Sequence, residues 1–272
     1  MKRGWFLSIR SQVPLSAVLV LGLLPIVLAL GLWWHVTAGA PEDRRVSPNI
    51  LPSPAEVFSP SQSIRPLVQD RDLKHHVLVS LRRVGLSYLL ALAVVAPLGI
   101  MMGSFSSARA VFSPTTTASG YIPIATLVPL TMSWFGTGEE QKVVFLAMAF
   151  AIYLLPMIIG ALERVPDVYV RTASTMGAGR WQTIGRVLVP VALPEIWNGM
   201  RLAFGVGWTY LVLAEVVVLD DGLGYLVAIS QRRGPREHIY LVILTITLIA
   251  WIADLGWSRL GRLLFPYRST AK

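Results

Sequence analysis

The feature that most constrains this chain is a series of six long apolar runs separated by polar intervals. The hydrocarbon core of a bilayer is about 30 Å thick, and a helix needs roughly 20 apolar residues to cross it. The composition favours a membrane as the solvent, because 54% of the residues are hydrophobic and only 14% are charged. The runs predict six membrane-spanning helices, at residues 13–36, 80–103, 112–135, 142–162, 187–219 and 238–260.

The first run follows three basic residues, Lys2, Arg3 and Arg10, as the core of a secretory signal peptide does. It is longer than the roughly 7 to 15 apolar residues of such a core, so we interpret it as an uncleaved span. Its basic end is expected in the cytoplasm. Six spans return the chain to the same side, and the C-terminal end is also basic. We therefore predict that the N- and C-termini are both cytoplasmic.

The predicted organisation has four parts. The N-terminal end and the first span occupy residues 1–36, and a periplasmic segment follows at residues 37–79. A core of five spans occupies residues 80–265, and residues 266–272 form a cytoplasmic tail. The segment 37–79 contains six prolines and mixed charges, and it is therefore too polar to cross lipid.

The predicted third span carries three prolines, Pro114, Pro123 and Pro129. Proline lacks the amide hydrogen that a helix needs, so we expect kinks or breaks in this span. Irregular backbone is tolerated at membrane depth only where protein covers it or where it faces a watery cavity. The prolines thus predict a special environment for residues 112–135.

Several classes of function are disfavoured by the residues alone. The net charge is +9, but the basic residues are scattered between apolar blocks, so we expect no nucleic-acid partner. The chain has no cysteine, which excludes disulfides and thiolate metal sites. His75 and His76 are adjacent and point to different helix faces, so we predict no metal site. No Gly-x-Ser-x-Gly elbow is present, and we predict no catalytic residues. A phosphate-binding Gly-Lys-Ser/Thr loop is also missing, because glycine precedes none of the four lysines, Lys2, Lys74, Lys142 and Lys272.

The longest polar interval in the second half of the chain lies at residues 163–186. Its pattern predicts a short helix that ends in a glycine turn, followed by a second helix that enters the membrane. The small residues Ala173, Ser174, Gly177 and Ala178 would let a partner approach the backbone closely. We therefore predict a docking surface on the inner side of the membrane.

This interval resembles the cytoplasmic coupling motif of binding-protein-dependent ABC importer permeases. That motif is written Glu-Ala-Ala, three residues, Gly, nine residues, Ile, any residue, Leu-Pro. Arg171 and Thr172 stand where the family has Glu and its first Ala, so the acidic contact to the ATPase is not transferred to this chain. The matching positions are Ala173, Gly177, Val187, Val189 and Pro190, with conservative changes at the two aliphatic sites.

Further fragments are similar to the nitrate/sulfonate/taurine branch of these permeases, and the resemblance covers about residues 50–265. Each fragment alone is weak, whereas their order and spacing together are specific. The fragments include residues 50–54, 80–84, 122–123, 128–130, 134–139, 193–194, 199–201 and 214–215.

The resemblance implies an all-α integral membrane protein with the type I ABC importer permease (MetI-like) fold. It implies a cytoplasmic coupling helix at about residues 165–186, in which the ATPase contact is made by Arg171, Thr172, Ala173, Met176, Gly177 and Ala178. The implied location is the bacterial inner membrane, where the chain would work with lipid around it. The implied partners are a second permease copy, two cytoplasmic ATPase subunits and a periplasmic substrate-binding protein.

The same resemblance implies that this chain binds no cofactor, since ATP and Mg are held by the partner ATPase. The expected solute is a small anion, namely nitrate, bicarbonate or an organic sulfonate such as taurine. A neutral or cationic heterocycle carried by the same class of importer is the alternative. A secondary transporter would require inverted repeats, and a membrane-embedded enzyme would require convergent reactive groups; we find neither in the sequence.

Four charged residues are candidates for the solute pathway: Arg82, Arg83, Arg201 and Glu215. A charge at the bilayer centre costs about 2.5 to 3.5 kcal/mol on insertion scales, so such residues should be buried in protein or face a cavity. Glu215 is either a gating residue or a hydrogen-bonded structural group, and Arg201 contacts either an anion or another helix. Arg82 and Arg83 either extend to the lipid headgroups or form a positive entrance for anions.

Overall fold

A computed structural model describes residues 13–40, 42, 44, 46–218 and 220–268, and all regular secondary structure in those ranges is helical. The predictions that concern Lys2, Arg3, Arg10, Leu219 and the end of the tail at residues 269–272 fall outside them.

Five helical stretches of the described chain are long and apolar enough to cross a membrane. They correspond to five of the six predicted spans. They are α1 (Leu15–Val36), α3 (Leu73–Ser104), α6 (Glu139–Glu163), the stretch Arg180–Val217 and α11 (Glu237–Leu264).

The remaining helices are shorter. Between α1 and α3 lie α2 (Pro54–Val57) and two π-helical turns, Pro60–Ile64 and Pro66–Asp70. The stretch Arg180–Val217 consists of α8 (Arg180–Thr183), a π-helical turn (Ile184–Leu188) and α9 (Val189–Val217). The others are α4 (Ser106–Ser119), a 3-10 turn (Ile124–Thr126), α5 (Leu127–Phe135), α7 (Asp167–Thr175), α10 (Leu223–Arg233) and a final 3-10 turn (Pro266–Arg268).

The predicted third span is not one continuous helix but is divided into α4 and α5, which leaves five continuous helical stretches long enough to cross a membrane. α4 ends at Ser119 and α5 begins only at Leu127. Pro123 explains the break, because it cannot donate an amide hydrogen bond and it disfavours helical backbone at Ile122. The expectation of a proline-dependent break is confirmed.

The order of helices defines two ends of the bundle. α9 has 29 residues and is roughly 44 Å long, so α8 and α10 lie at opposite ends. We call the end with α10 the upper end and the end with α7 and α8 the lower end. The described residues between α1 and α3 lie at the upper end, where Tyr240 donates to the Ile50 carbonyl at 3.1 Å and Arg71 donates to the Gly234 carbonyl at 3.0 Å.

The core consists of α3, α6 and α9, whose facing side chains include the fully buried Phe145, Leu154 and Leu211. Glycine permits the closest approach between α9 and α6. A Cβ atom at Gly207 would lie 2.1 Å from the ring of Phe150, so only glycine fits without movement there.

The first helix differs from this core, because α1 has no buried residue. It contacts the rest of the described chain near its upper end, where the Trp33 indole donates to the Pro52 carbonyl at 2.9 Å and stacks on Tyr240.

Candidate functional site

The lower end carries a short pair of helices, α7 and α8, between the spans α6 and α9. α7 begins after Pro166 and has Asp167 in its first turn, where a negative charge stabilises a helix. It ends at Thr175, and the turn that follows contains Gly177, whose φ of +79° is the left-handed conformation that favours glycine. The amide of Ala178 donates to the Ala173 carbonyl at 3.0 Å, which closes the turn. The predicted glycine turn is therefore present.

The surface of this pair exposes apolar side chains. Met176 is 82% exposed, Trp181 is 73% exposed and Val168 is 62% exposed, whereas Ala173 is buried. Large apolar side chains grouped on a projecting element are typical of a surface that a protein partner covers. Val168 and Trp181 were missed by the sequence analysis, although their apolar character in a polar interval was visible there.

The predicted coupling residues lie together on this element. Arg171 and Thr172 are exposed on α7, and Ala178 follows the turn. The closest acidic group to Arg171 is Asp167 on the same helix, with 3.9 Å between the two charged groups. Thr172 donates its hydroxyl hydrogen to the Val168 carbonyl at 2.8 Å. Their contact with an ATPase remains a prediction.

α8 is joined rigidly to a membrane span. The π-helical turn Ile184–Leu188 connects α8 directly to α9, so the stretch from Arg180 to Val217 is continuous helix. Because a continuous helix transmits displacement along its axis, a partner that moves α8 would also move α9. This arrangement suits the transfer of mechanical work from the lower end into the membrane.

A second group of residues forms a buried charge cluster at the upper end. Arg83 on α3 is 1% exposed and binds carboxylates from three separate parts of the chain. Its Nε atom donates to Glu139 at 2.9 Å, its Nη1 atom donates to Glu215 at 2.8 Å, and its Nη2 atom contacts Asp221. The cluster thus ties α3, α6, α9 and the loop before α10 together.

Glu215 is fully buried and accepts hydrogen bonds from several donors in this cluster. Besides Arg83, the Ser80 hydroxyl donates to it at 2.7 Å and the Gly224 amide donates at 2.8 Å. Lys142 is also fully buried, with its Nζ atom 3.5 Å from Glu139. Buried charges need such partners, because each unpaired charge would carry a large desolvation penalty.

The acidic groups of the cluster do not form a free metal site. Ligand oxygens of Glu139, Asp220 and Asp221 lie within 4.8 Å of one another. Arg83 and Lys142, however, already lie against these carboxylates and neutralise them. The arrangement therefore disfavours a divalent cation.

The structure brings two of the four predicted pathway residues, Arg83 and Glu215, together in this cluster. Arg83 is buried against three carboxylates, and its role in the solute pathway stays a prediction. Its acidic partners are distant in sequence, which is why the analysis of local patterns missed them. Glu215 is hydrogen-bonded, as in the structural interpretation, and Arg82, the sequence neighbour of Arg83, is exposed.

Arg201 forms a two-point ion pair with Asp254, which joins α9 to α11. The Nε–Oδ1 distance is 2.5 Å and the Nη2–Oδ2 distance is 2.6 Å. This pair matches the interpretation of Arg201 as a contact between helices. Because Asp254 already occupies its guanidinium, Arg201 cannot bind an anion by the same pair of hydrogen bonds.

Comparison with known proteins decides the class of transporter. Residues 96–267, more than half of the chain, match the family described as "Binding-protein-dependent transport system inner membrane component". The chain belongs to this family. Membership excludes the two rival classes, the secondary transporter and the membrane-embedded enzyme, and makes the permease a non-catalytic subunit of an ABC importer.

Individual relatives agree with this assignment. The permease is 31% identical over 256 residues to the taurine transport system permease protein TauC of Escherichia coli (strain K12), which covers 93% of this chain and 92% of that protein. It is 26% identical over 256 residues to the nitrate import permease protein NrtB of Synechococcus elongatus, covering 89% of this chain and 88% of that protein.

The fold of the permease is also known from solved structures. A chain of the inward-facing MetNI methionine ABC transporter matches with a TM-score of 0.63 at 19% identity, covering 70% of this chain and 95% of that chain. The predicted type I importer permease (MetI-like) fold is thereby confirmed.

Proposed function

We propose that this permease carries a small anion, an organic sulfonate such as taurine or else nitrate or bicarbonate, across the bacterial inner membrane. The observation that carries the proposal is the 31% identity to a taurine permease over 93% of this chain. Taurine bears a sulfonate group beside its ammonium group, and nitrate is an oxyanion, so the named solutes of two relatives share a compact group with a delocalised negative charge.

The chain works as a pair of copies, each docked on a cytoplasmic ATPase subunit that holds ATP and Mg. In this proposal the lower end faces the cytoplasm. Because α1 begins and α11 ends at the lower end, the N- and C-termini are then both cytoplasmic. A periplasmic substrate-binding protein delivers the solute to the upper end.

The ATPase contact is made by the exposed face of α7 and the glycine turn. Because Arg171 replaces the acidic residue of the family motif, we infer a contact that depends on Met176, Thr172 and the small residues Gly177 and Ala178, whereas the predicted contact residue Ala173 is buried within this chain. The exposure of Met176 and Trp181 supports this inference, since apolar side chains gain most from burial by a partner.

Solute selection rests with the binding protein in this proposal. The guanidinium groups of Arg83 and Arg201 are both held by carboxylates of the same chain. An anion would have to displace those carboxylates in order to bind either arginine, which makes them poor selectivity elements.

The experiment is purification of the tagged permease with its associated proteins, followed by reconstitution and uptake of labelled taurine and nitrate. We expect an ATPase subunit to co-purify and ATP to drive uptake of at least one of the two anions. Uptake of a neutral heterocycle in place of both anions would refute the proposed solute class. Absence of any ATPase subunit would refute the importer mechanism.

A matched pair of variants tests the docking surface. Gly177 and Gly136 both have positive φ, at +79° and +72°, and a Cβ atom would meet nothing within 4 Å at either position. Gly136 also has a ψ of −154°, in a region essentially restricted to glycine, so Gly136→Val at the upper end is a stringent control for the backbone strain that Gly177→Val introduces at the lower end. We expect only Gly177→Val to reduce the amount of ATPase that co-purifies. Equal retention by the two variants would contradict the proposed contact.

A further inference from the structure

A cavity of about 690 Å³ lies next to the break that follows α4. Its walls come from the end of α3, from α4, from the break and from α6. Small-molecule sites commonly have volumes of about 300 to 1,000 Å³, so this space can hold a small solute together with water. The ion pair between Arg109 and Glu163 lies at its lower margin.

One wall of the cavity is a polar face of α4. Ser113, Thr116, Thr117 and Gly120 follow helical spacing and all line the cavity. The Thr116 hydroxyl donates to the Ser113 carbonyl at 3.1 Å. The hydroxyl groups of Ser113 and Thr117, in contrast, make no hydrogen bond with any part of the chain that the structure describes. Two hydroxyl groups therefore remain available to water or to a ligand.

The opposite wall contains a backbone carbonyl without its helical partner. Pro156 lies inside α6 and has no amide hydrogen to donate to the Ile152 carbonyl. Ile152 and Pro156 both line the same cavity. In a bilayer, such a carbonyl and the interrupted backbone between α4 and α5 require a polar partner, because lipid supplies none. Free hydroxyls, a freed carbonyl and a broken helix thus surround one space.

We propose that this cavity is water-filled and is the section of the pathway through which the solute passes in the lower half of each copy. The inference rests on the proposed function and names the contact groups. The hydroxyls of Ser113 and Thr117 donate to the oxygen atoms of a small oxyanion. Arg109 is neutralised by Glu163, so the anion meets neutral donors, which bind weakly enough to release it.

The natural absence of cysteine allows a direct test of water access. Thr117→Cys and Thr115→Cys place the same side chain on the same helix, but Thr115 is exposed away from the cavity lining. In the importer purified in lipid nanodiscs, a charged, membrane-impermeant methanethiosulfonate reagent should label Thr117→Cys at least about 10-fold faster, because only a thiol in water ionises readily. Ser113→Cys should react like Thr117→Cys. Equal rates at positions 117 and 115 would overturn the water-filled cavity.

Transport then tests the passage of solute. Thr117→Val keeps the shape of the side chain and removes its hydroxyl, and Thr115→Val is the matched control. We expect Thr117→Val to lower taurine or nitrate uptake by about 10-fold, which is the effect of losing one hydrogen bond to the solute. The rate of ATP hydrolysis should stay within about twofold. Unchanged uptake by Thr117→Val would overturn the proposed passage. Failure of the unaltered importer to take up either anion would refute the proposed solute class, whereas the labelling rates would still decide the cavity.

Discussion

Replacement of Arg83 by methionine should destabilise the permease strongly. Met preserves much of the apolar volume but removes the guanidinium that binds Glu215, which is 0% exposed. Removal of one partner of a buried ion pair typically costs about 3 to 5 kcal/mol, because the remaining charge is left uncompensated. For a chain of this size each kcal/mol lowers Tm by about 2 to 4 °C, so we expect a decrease of roughly 6 to 20 °C.

The assay is thermal unfolding in detergent followed by tryptophan fluorescence. Arg82→Met is the matched control, because Arg82 is exposed next to Arg83 and a surface substitution should change stability by less than about 0.5 kcal/mol. The double variant Arg83→Met with Glu215→Gln removes both charges and should be more stable than Arg83→Met alone, since the two positions are coupled. A Tm for Arg83→Met equal to that of Arg82→Met would refute this reasoning, as would strictly additive effects in the double variant.

Two further predictions concern packing and pH. Gly207→Ala should destabilise the permease by about 1 to 3 kcal/mol, because its Cβ atom would overlap the Phe150 ring, whereas Gly205→Ala, which meets nothing within 4 Å, should be neutral in the same thermal assay. At the upper end, the hydrogen bond from Arg44 holds the pKa of Glu56 below its ordinary 4.5. A lowered pKa means that the ionised form stabilises this segment above about pH 4.5 and that the contribution is lost as the pH falls through the lower folded-state value. Limited proteolysis of the segment between α1 and α3 should therefore become faster on acidification in the unaltered chain. If a Glu56→Gln variant shows the same acceleration, Glu56 is not the group that causes the pH dependence.

The spans were predictable because lipid imposes one local requirement, a long apolar helix. The break before α5 was predictable for a similar reason, since Pro123 acts on its own backbone and on that of its neighbour. The turn at Gly177 follows from an equally local rule about helix ends. Each of these features depends on residues close together in the sequence.

The charge cluster could not be predicted in the same way. Arg83 and Glu139 are 56 positions apart, and Arg83 and Glu215 are 132 positions apart. Only the packing of α3 against α6 and α9 brings them together, and no local pattern encodes that packing. The start of α3 at Leu73 instead of residue 80 has a local cause that was overlooked, because the Asp72 side chain accepts a hydrogen bond from the His75 amide and caps the helix.

The most direct test of the account is cross-linking of the glycine turn to its partner. Met176, 82% exposed at the lower end, and Ile50, 68% exposed at the upper end, are suitable positions for single cysteines that carry a photoreactive group. In native membranes, Met176→Cys should form an adduct with an ATPase subunit, and the yield should change when ATP is added. Ile50→Cys should form no adduct with that subunit. An ATPase adduct from Ile50→Cys in place of Met176→Cys, or labelling of Met176→Cys by an impermeant reagent applied to the periplasmic side, would contradict the account.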